Sequence, residues 1–237
     1  MKALLITLLS GFAFLIGHFL SESMGHGKKI ITLSVGLAFS IMIGLITTDL
    51  LPEAIELMDN KITMCACIVF GVLILKALDA FVPDHDHTPT RNKDHIAHIG
   101  LVTAIALFIH NAVEGTAIYN TALSDAKAGI LLALAVSCHN IPLGMQISSL
   151  ISNKKEKLLI VILLMLSSVI GGLALIAFHY TPSEMVEGVL ISTTIGMLIY
   201  IIFFELLCEV KENIKKKQMQ IGLALGVIVS IICFILG

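Results

Sequence analysis

Charge is what this sequence has least of. Asp, Glu, Lys and Arg make up 14% of its 237 residues, against about 25% in a soluble globular domain. No stretch is both long enough and polar enough to form a separate soluble domain. The formal net charge is −2, so the basic excess that nucleic acid requires is missing and nucleic acid is excluded as a partner. Five cysteines, at 65, 67, 138, 208 and 233, all fall inside apolar runs. They read as small buried hydrophobes, not as a disulfide framework. Cys65 and Cys67 are two apart on a helical run, so they face different sides and do not share a metal.

What remains is apolar. Hydrophobic residues make up 57% and the mean hydropathy is +0.98. A spanning helix needs about 20 mostly apolar residues. Eight runs qualify, with short connections: 3–21, 30–57, 62–82, 99–122, 127–150, 157–179, 184–207 and 219–237. The chain is therefore expected to be an all-α integral membrane protein, one domain over 1–237, with the lipid bilayer as its solvent. Lys2 precedes the first run, but no clear small-x-small cleavage site follows, so that run reads as a retained helix. Taken alternately, the connections carry 11 Lys and Arg on one side and 3 on the other. The positive-inside rule then puts both termini outside a cell membrane and the 83–98 loop in the cytoplasm.

The exceptions to this apolarity are patterned. His110-Asn111-Ala112-Val113-Glu114-Gly115 lies in the fourth run, and His139-Asn140-Ile141-Pro142-Leu143-Gly144 in the fifth. Ionisable side chains inside a spanning helix are costly and by default mark a pathway or a site. His110 and Glu114 are four apart and share a helix face, which suits one metal ion between imidazole and carboxylate. A second echo joins Asp49-Leu50-Leu51-Pro52-Glu53 at the end of helix 2 to Glu205-Leu206-Leu207-Cys208-Glu209 at the end of helix 7. Those helices run in opposite directions, as in inverted repeats. The expected architecture is eight transmembrane helices in a 3+2+3 inverted-repeat bundle with the motif pair at its centre.

His110-Asn111-x-x-Glu114-Gly115 followed by His139-Asn140-Ile141-Pro142-x-Gly144 resembles the ZIP (Zrt/Irt-like protein) family of divalent metal transporters. The likeness runs the length of the chain, through the Leu-Pro-Glu end of helix 2 and the polar loop after helix 3. It implies movement of Zn²⁺, and in some members Fe²⁺, Mn²⁺ or Cd²⁺, toward the cytoplasm, with the metal as cargo and no cofactor. It also places Asp79 and Glu205 at the cytoplasmic mouth. Two positions depart from the family pattern and make this a divergent member: Leu143 and Ser168 stand where carboxylates of a paired-metal centre are usual. One metal position is therefore expected.

Zinc takes imidazole nitrogen and carboxylate oxygen, so His110, Glu114 and His139 are the candidate ligands. Asn111 and Asn140 supply carbonyl oxygens or hydrogen bonds to those ligands, and Met42 is a candidate for a fourth position. The bland alternative is a structural His110–Glu114 pair without metal. Pro142 removes one backbone hydrogen bond and frees the Cys138 carbonyl; this either faces the pathway or marks a packing kink. Asp49 and Glu53 read as a cation-attracting entrance, against an acidic helix end, Glu56 included, that is merely solvated. Asp79, His85, His87, Glu205 and Glu209 read as the exit, extended by His95 and His98, against an ordinary solvated loop. His18 and Glu22 read as an interfacial pair, and Gly171-Gly172 as a close-packing site.

These assignments describe a carrier and no enzyme. Protonated imidazole cannot ligate, so uptake is expected to fall below about pH 6, near the free histidine value of about 6.5. A transport-inactive relative acting as a metal sensor or partner protein is the alternative that Leu143 keeps open. An intramembrane metalloenzyme needs His-Glu-x-x-His, whereas here Asn follows His. A homodimer is compatible with the sequence.

Overall fold

The computed structural model describes residues 1–25, 27–81, 93–179 and 182–236. Among the described residues there is no strand. Eight helices among these residues are long and apolar enough to cross a membrane, and the protein is a multi-pass, all-α membrane protein. They are α1 Lys2–Met24, α2 Lys28–Leu57, α3 Lys61–Asp79, α4 Lys93–Ser124, α5 Ala126–Leu150, α6 Lys154–Ala177, α7 Glu184–Asn213 and α8 Lys217–Leu236.

Short polar residues set the turns. Asn60 accepts from the Ile62 and Thr63 amides to start α3, and Asn153 accepts from the Lys155 amide to start α6. Asp125, the single residue between α4 and α5, accepts from the Lys127 amide at 2.8 Å. Each cap satisfies amides that a new helix leaves without partners. The one-residue turn makes α4 and α5 an antiparallel hairpin. We call its side of the bundle the turn end, and the side where α3 ends and α4 begins the loop end.

Two helices are not α-helical throughout. A π turn at Ile46–Leu50 interrupts α2, and another at Ile201–Leu206 interrupts α7. The echoed acidic frames begin on these turns, at Asp49 and Glu205. A π turn widens the helix locally, disturbs the regular ladder and recurs at functional sites. α5, by contrast, continues as α-helix through Pro142.

Packing divides the helices into two groups. α1, α4, α5 and α6 pack on one another; α2 lies along α8, α3 along α7, and the last turns of α2 meet α7. Backbones come close at the main crossings. A Cβ added at Gly115 of α4 would run into the Ser168 carbonyl oxygen of α6, and one at Gly171 of α6 into the Ala112 carbonyl of α4. Gly144 of α5 and Gly17 of α1 meet the Phe14 and Ile141 carbonyls in the same way. The final glycine of each His-Asn motif is thus a helix crossing. Lipid offers no hydrophobic drive to join apolar helices, so close backbone packing has to do it. Exposed Leu5, Phe12 and Ile16 on α1 and Leu159, Leu163 and Ile170 on α6 turn outward to the lipid.

At the loop end, His18 Nδ1 lies 2.8 Å from Ser148 Oγ, and Glu22 accepts from buried Lys157 at 2.6 Å. The expected interfacial pair thus ties α1 to both α5 and α6.

Candidate metal centre

His110 is the middle residue of the spanning stretch Ile96–Ser124, and His139 is one residue past the middle of Ala126–Leu150. The hairpin brings their rings together, with centroids 6.0 Å apart. Glu114, one turn from His110, points between them. Its Oε1 lies 3.2 Å from His110 Nε2 and 3.2 Å from His139 Nε2. All three side chains are buried. Both contacts are ion-pair approaches, and the second carboxylate oxygen, Oε2, has no hydrogen-bond partner. Two imidazole nitrogens and one carboxylate oxygen thus lie within 4.8 Å of one another, a set that could hold a metal ion. Ligands about 2.0–2.1 Å from a tetrahedral zinc are separated by about 3.3 Å, which the 3.2 Å spacing matches.

Asn111 and Asn140 hold the scaffold. Asn140 Nδ2 donates to Asn111 Oδ1 at 3.0 Å and to the Ser10 carbonyl at 3.2 Å, while Asn111 Nδ2 donates to the Leu107 carbonyl. This links α4, α5 and α1 beside the histidines. Asn111 Oδ1 is engaged, and Asn140 Oδ1 is the one carbonyl of the pair without a partner. Met42 is fully buried in the main apolar cluster. Leu143 lies in that same cluster. Ser168 donates to the Thr7 carbonyl at 3.0 Å. Both side chains thus serve helix packing here.

Two cavities open from the turn end toward this group. One, of about 80 Å³, is lined by Asp49, Glu53, Glu187, Thr194, His110 and Glu114 among others. The other, of about 380 Å³, is lined by Thr48, Asp49, Glu53, Glu56, Cys233 and His139 among others. Asp49 and Glu53 border both. Sequence reading missed Glu187, which accepts from Asn120 Nδ2 at 3.4 Å. Its signal was an acidic residue in the first turn of α7, the helix on which α2 ends.

At the loop end, Asp79, His98 and Glu205 form a second group of possible metal ligands. His98 Nε2 lies 2.8 Å from Asp79 Oδ1, and the Tyr200 hydroxyl donates to Asp79 Oδ2 at 2.7 Å. Tyr200 was not anticipated. Glu209 sits one turn beyond Glu205 and accepts from Asn213 Nδ2 at 3.4 Å. His85, His87 and the side chain of His95 lie outside the described residues.

A bundle of eight spanning helices around a buried pair of imidazoles and a carboxylate defines a polytopic membrane protein with an intramembrane site suited to a metal ion. Residues 83–236 match the family model described as ZIP Zinc transporter, and the chain belongs to that family. It is similar to proteins named zinc transporter ZupT. That of Chlorobium luteolum is 29% identical over 99% of this chain and 97% of its own. Those of Streptococcus mutans and Corynebacterium aurimucosum are 27% and 26% identical, over 99% and 94% of this chain and 97% and 92% of theirs. The family is one of transporters, not of enzymes.

Proposed function

We propose that the whole chain is one carrier that moves divalent cations, zinc first, across the cell membrane toward the cytoplasm through a single site at His110, Glu114 and His139. The observation that carries this reading is the convergence of two imidazole nitrogens and one carboxylate oxygen, buried and mid-span, within 4.8 Å of one another. The relatives named as zinc transporters favour zinc. Asp49, Glu53 and Glu187 form the entrance; the excess of Lys and Arg on the loop side makes that side cytoplasmic.

The 3+2+3 arrangement is supported by contacts that exchange in pairs. α1 packs on α5 as α6 packs on α4, and α2 on α8 as α7 on α3. The two π turns fall on α2 and α7, which the same exchange relates. Movement of the α1, α4, α5, α6 group against the other four would close the turn end and open the loop end, where Asp79, His98 and Glu205 receive the ion. The test is ⁶⁵Zn uptake into proteoliposomes. Uptake at pH 7 that falls sharply at pH 5.5 is expected. Zinc binding without uptake would move the protein to the sensor reading instead.

Leu143→Glu probes the missing carboxylate. It puts a charge into a fully buried apolar cluster, so the metal-free variant is expected to melt well below wild type. If position 143 borders the site, saturating zinc restores much of that loss, with about 2.7 kcal/mol available at a hundredfold excess over Kd. Thermal melts with and without zinc read the difference.

A further inference from the structure

The histidine faces of α4 and α5 do not end at the histidines. Seven residues along a helix return to within about 20° of the same face, about 10.5 Å further on. Toward the loop end, that step leads from His110 to Thr103 on α4 and from His139 to Gln146 on α5. Both side chains are completely buried, at 0% exposure. Thr103 Oγ1, Gln146 Nε2 and Gln146 Oε1 all lack a hydrogen-bond partner. Buried polar side chains are rarely left so, and a glutamine with both ends unpartnered calls for a water or an ion as its partner.

The hairpin keeps these two residues in step. On the turn side of the histidines, a Cβ at Gly129 would meet Ala122; on the loop side, one at Gly100 would meet Leu150 and Ile151. α4 and α5 therefore stay in contact above and below, in one antiparallel register, and Thr103 stands to Gln146 as His110 stands to His139. Between the two levels lie Leu107 and Leu143, also completely buried. The order along the shared face is ligand pair, apolar layer, polar pair. That face looks toward α2 and α7, since residues of both line the cavities at the histidines.

We propose that Thr103 and Gln146 form a cation station on the loop side of a Leu107–Leu143 layer, taking the partly hydrated divalent ion between the His110–Glu114–His139 group and the Asp79–His98–Glu205 group. The proposal rests on the transport reading above. Two neutral oxygens, one hydroxyl and one amide, suit a hard or still hydrated cation. Without charge they hold it weakly and let it pass.

The test compares wild type, Thr103→Val with Gln146→Met, which nearly preserves volume, and Thr103→Ser. Each is read by equilibrium Zn²⁺ binding to the purified full-length protein and by ⁶⁵Zn uptake into proteoliposomes. Binding by the double variant should stay within about twofold of wild type while its maximal uptake rate drops at least about tenfold, a loss in turnover and not in affinity. Thr103→Ser, which keeps the hydroxyl, should transport like wild type. The proposal is overturned if the double variant transports at the wild-type rate, as removing an unpaired polar cost from a purely structural position would predict. It is equally overturned if zinc binding is lost, which would make the pair a support of the upper site. Failure of wild type to take up zinc at all sinks the transport reading itself, and the station with it.

Discussion

Glu114→Gln is expected to reduce ⁶⁵Zn uptake to background. The substitution keeps the size and shape of the side chain and removes its charge. Oε1 of Glu114 is the atom both imidazoles approach, at 3.2 Å each, and no other carboxylate belongs to this group. Deleting a partner that merely orients a metal ligand costs about 10–100-fold in metal affinity or activity. Loss of this anionic ligand should exceed about 100-fold. Stability should change little, because a glutamine amide can donate to either ring and because the charge removed is buried and costly without a cation. Near-normal melting with no uptake is therefore the expected signature. Uptake above a tenth of wild type would place the cation elsewhere.

This centre was legible in the sequence because its chemistry is local to each motif. The His110–Glu114 spacing is a helix turn, and the His139 frame repeats the His110 frame. The eight spans were legible because backbone in lipid must satisfy its own hydrogen bonds, which leaves long apolar helices as the option for such a composition. What the sequence hid were properties of approach. The echo Asp49…Glu53 and Glu205…Glu209 was visible as letters, but not as two π turns, since no residue pattern announces the extra backbone step. Glu187 was one acidic helix-start residue among several until α2 and α7 brought it to the cavity of Asp49. Tyr200 and His98 met Asp79 only through tertiary packing. Ser168 was read as a lost ligand, and the structure adds what it does instead, donating to Thr7 while its carbonyl lies against Gly115.

That contact underlies the second large effect. Gly115→Ala adds one methyl group, and the methyl would collide with the carbonyl oxygen and Cα of Ser168. These are backbone atoms, so no side-chain rotation relieves the clash and the α4–α6 crossing must widen. Widening also breaks the reciprocal contact at Gly171, whose neighbour is the Ala112 carbonyl. Overpacking strain of about 3 kcal/mol or more, at about 2–4 °C per kcal/mol for a chain of this size, lowers the melting temperature by about 10 °C. Uptake should be lost as well, for a positional reason. Glu114 is the residue next to Gly115, and moving α4 outward draws its carboxylate from His139, which is held on α5 through the Asn140–Ser10 and Gly144–Phe14 contacts to α1. The pair of measurements separates the two roles: Glu114→Gln loses transport and keeps its melt, whereas Gly115→Ala loses both. A Gly115→Ala protein that melts and transports like wild type would mean that the crossing is looser than described, and that the last residue of the His-Asn motif does not fix the position of the carboxylate before it.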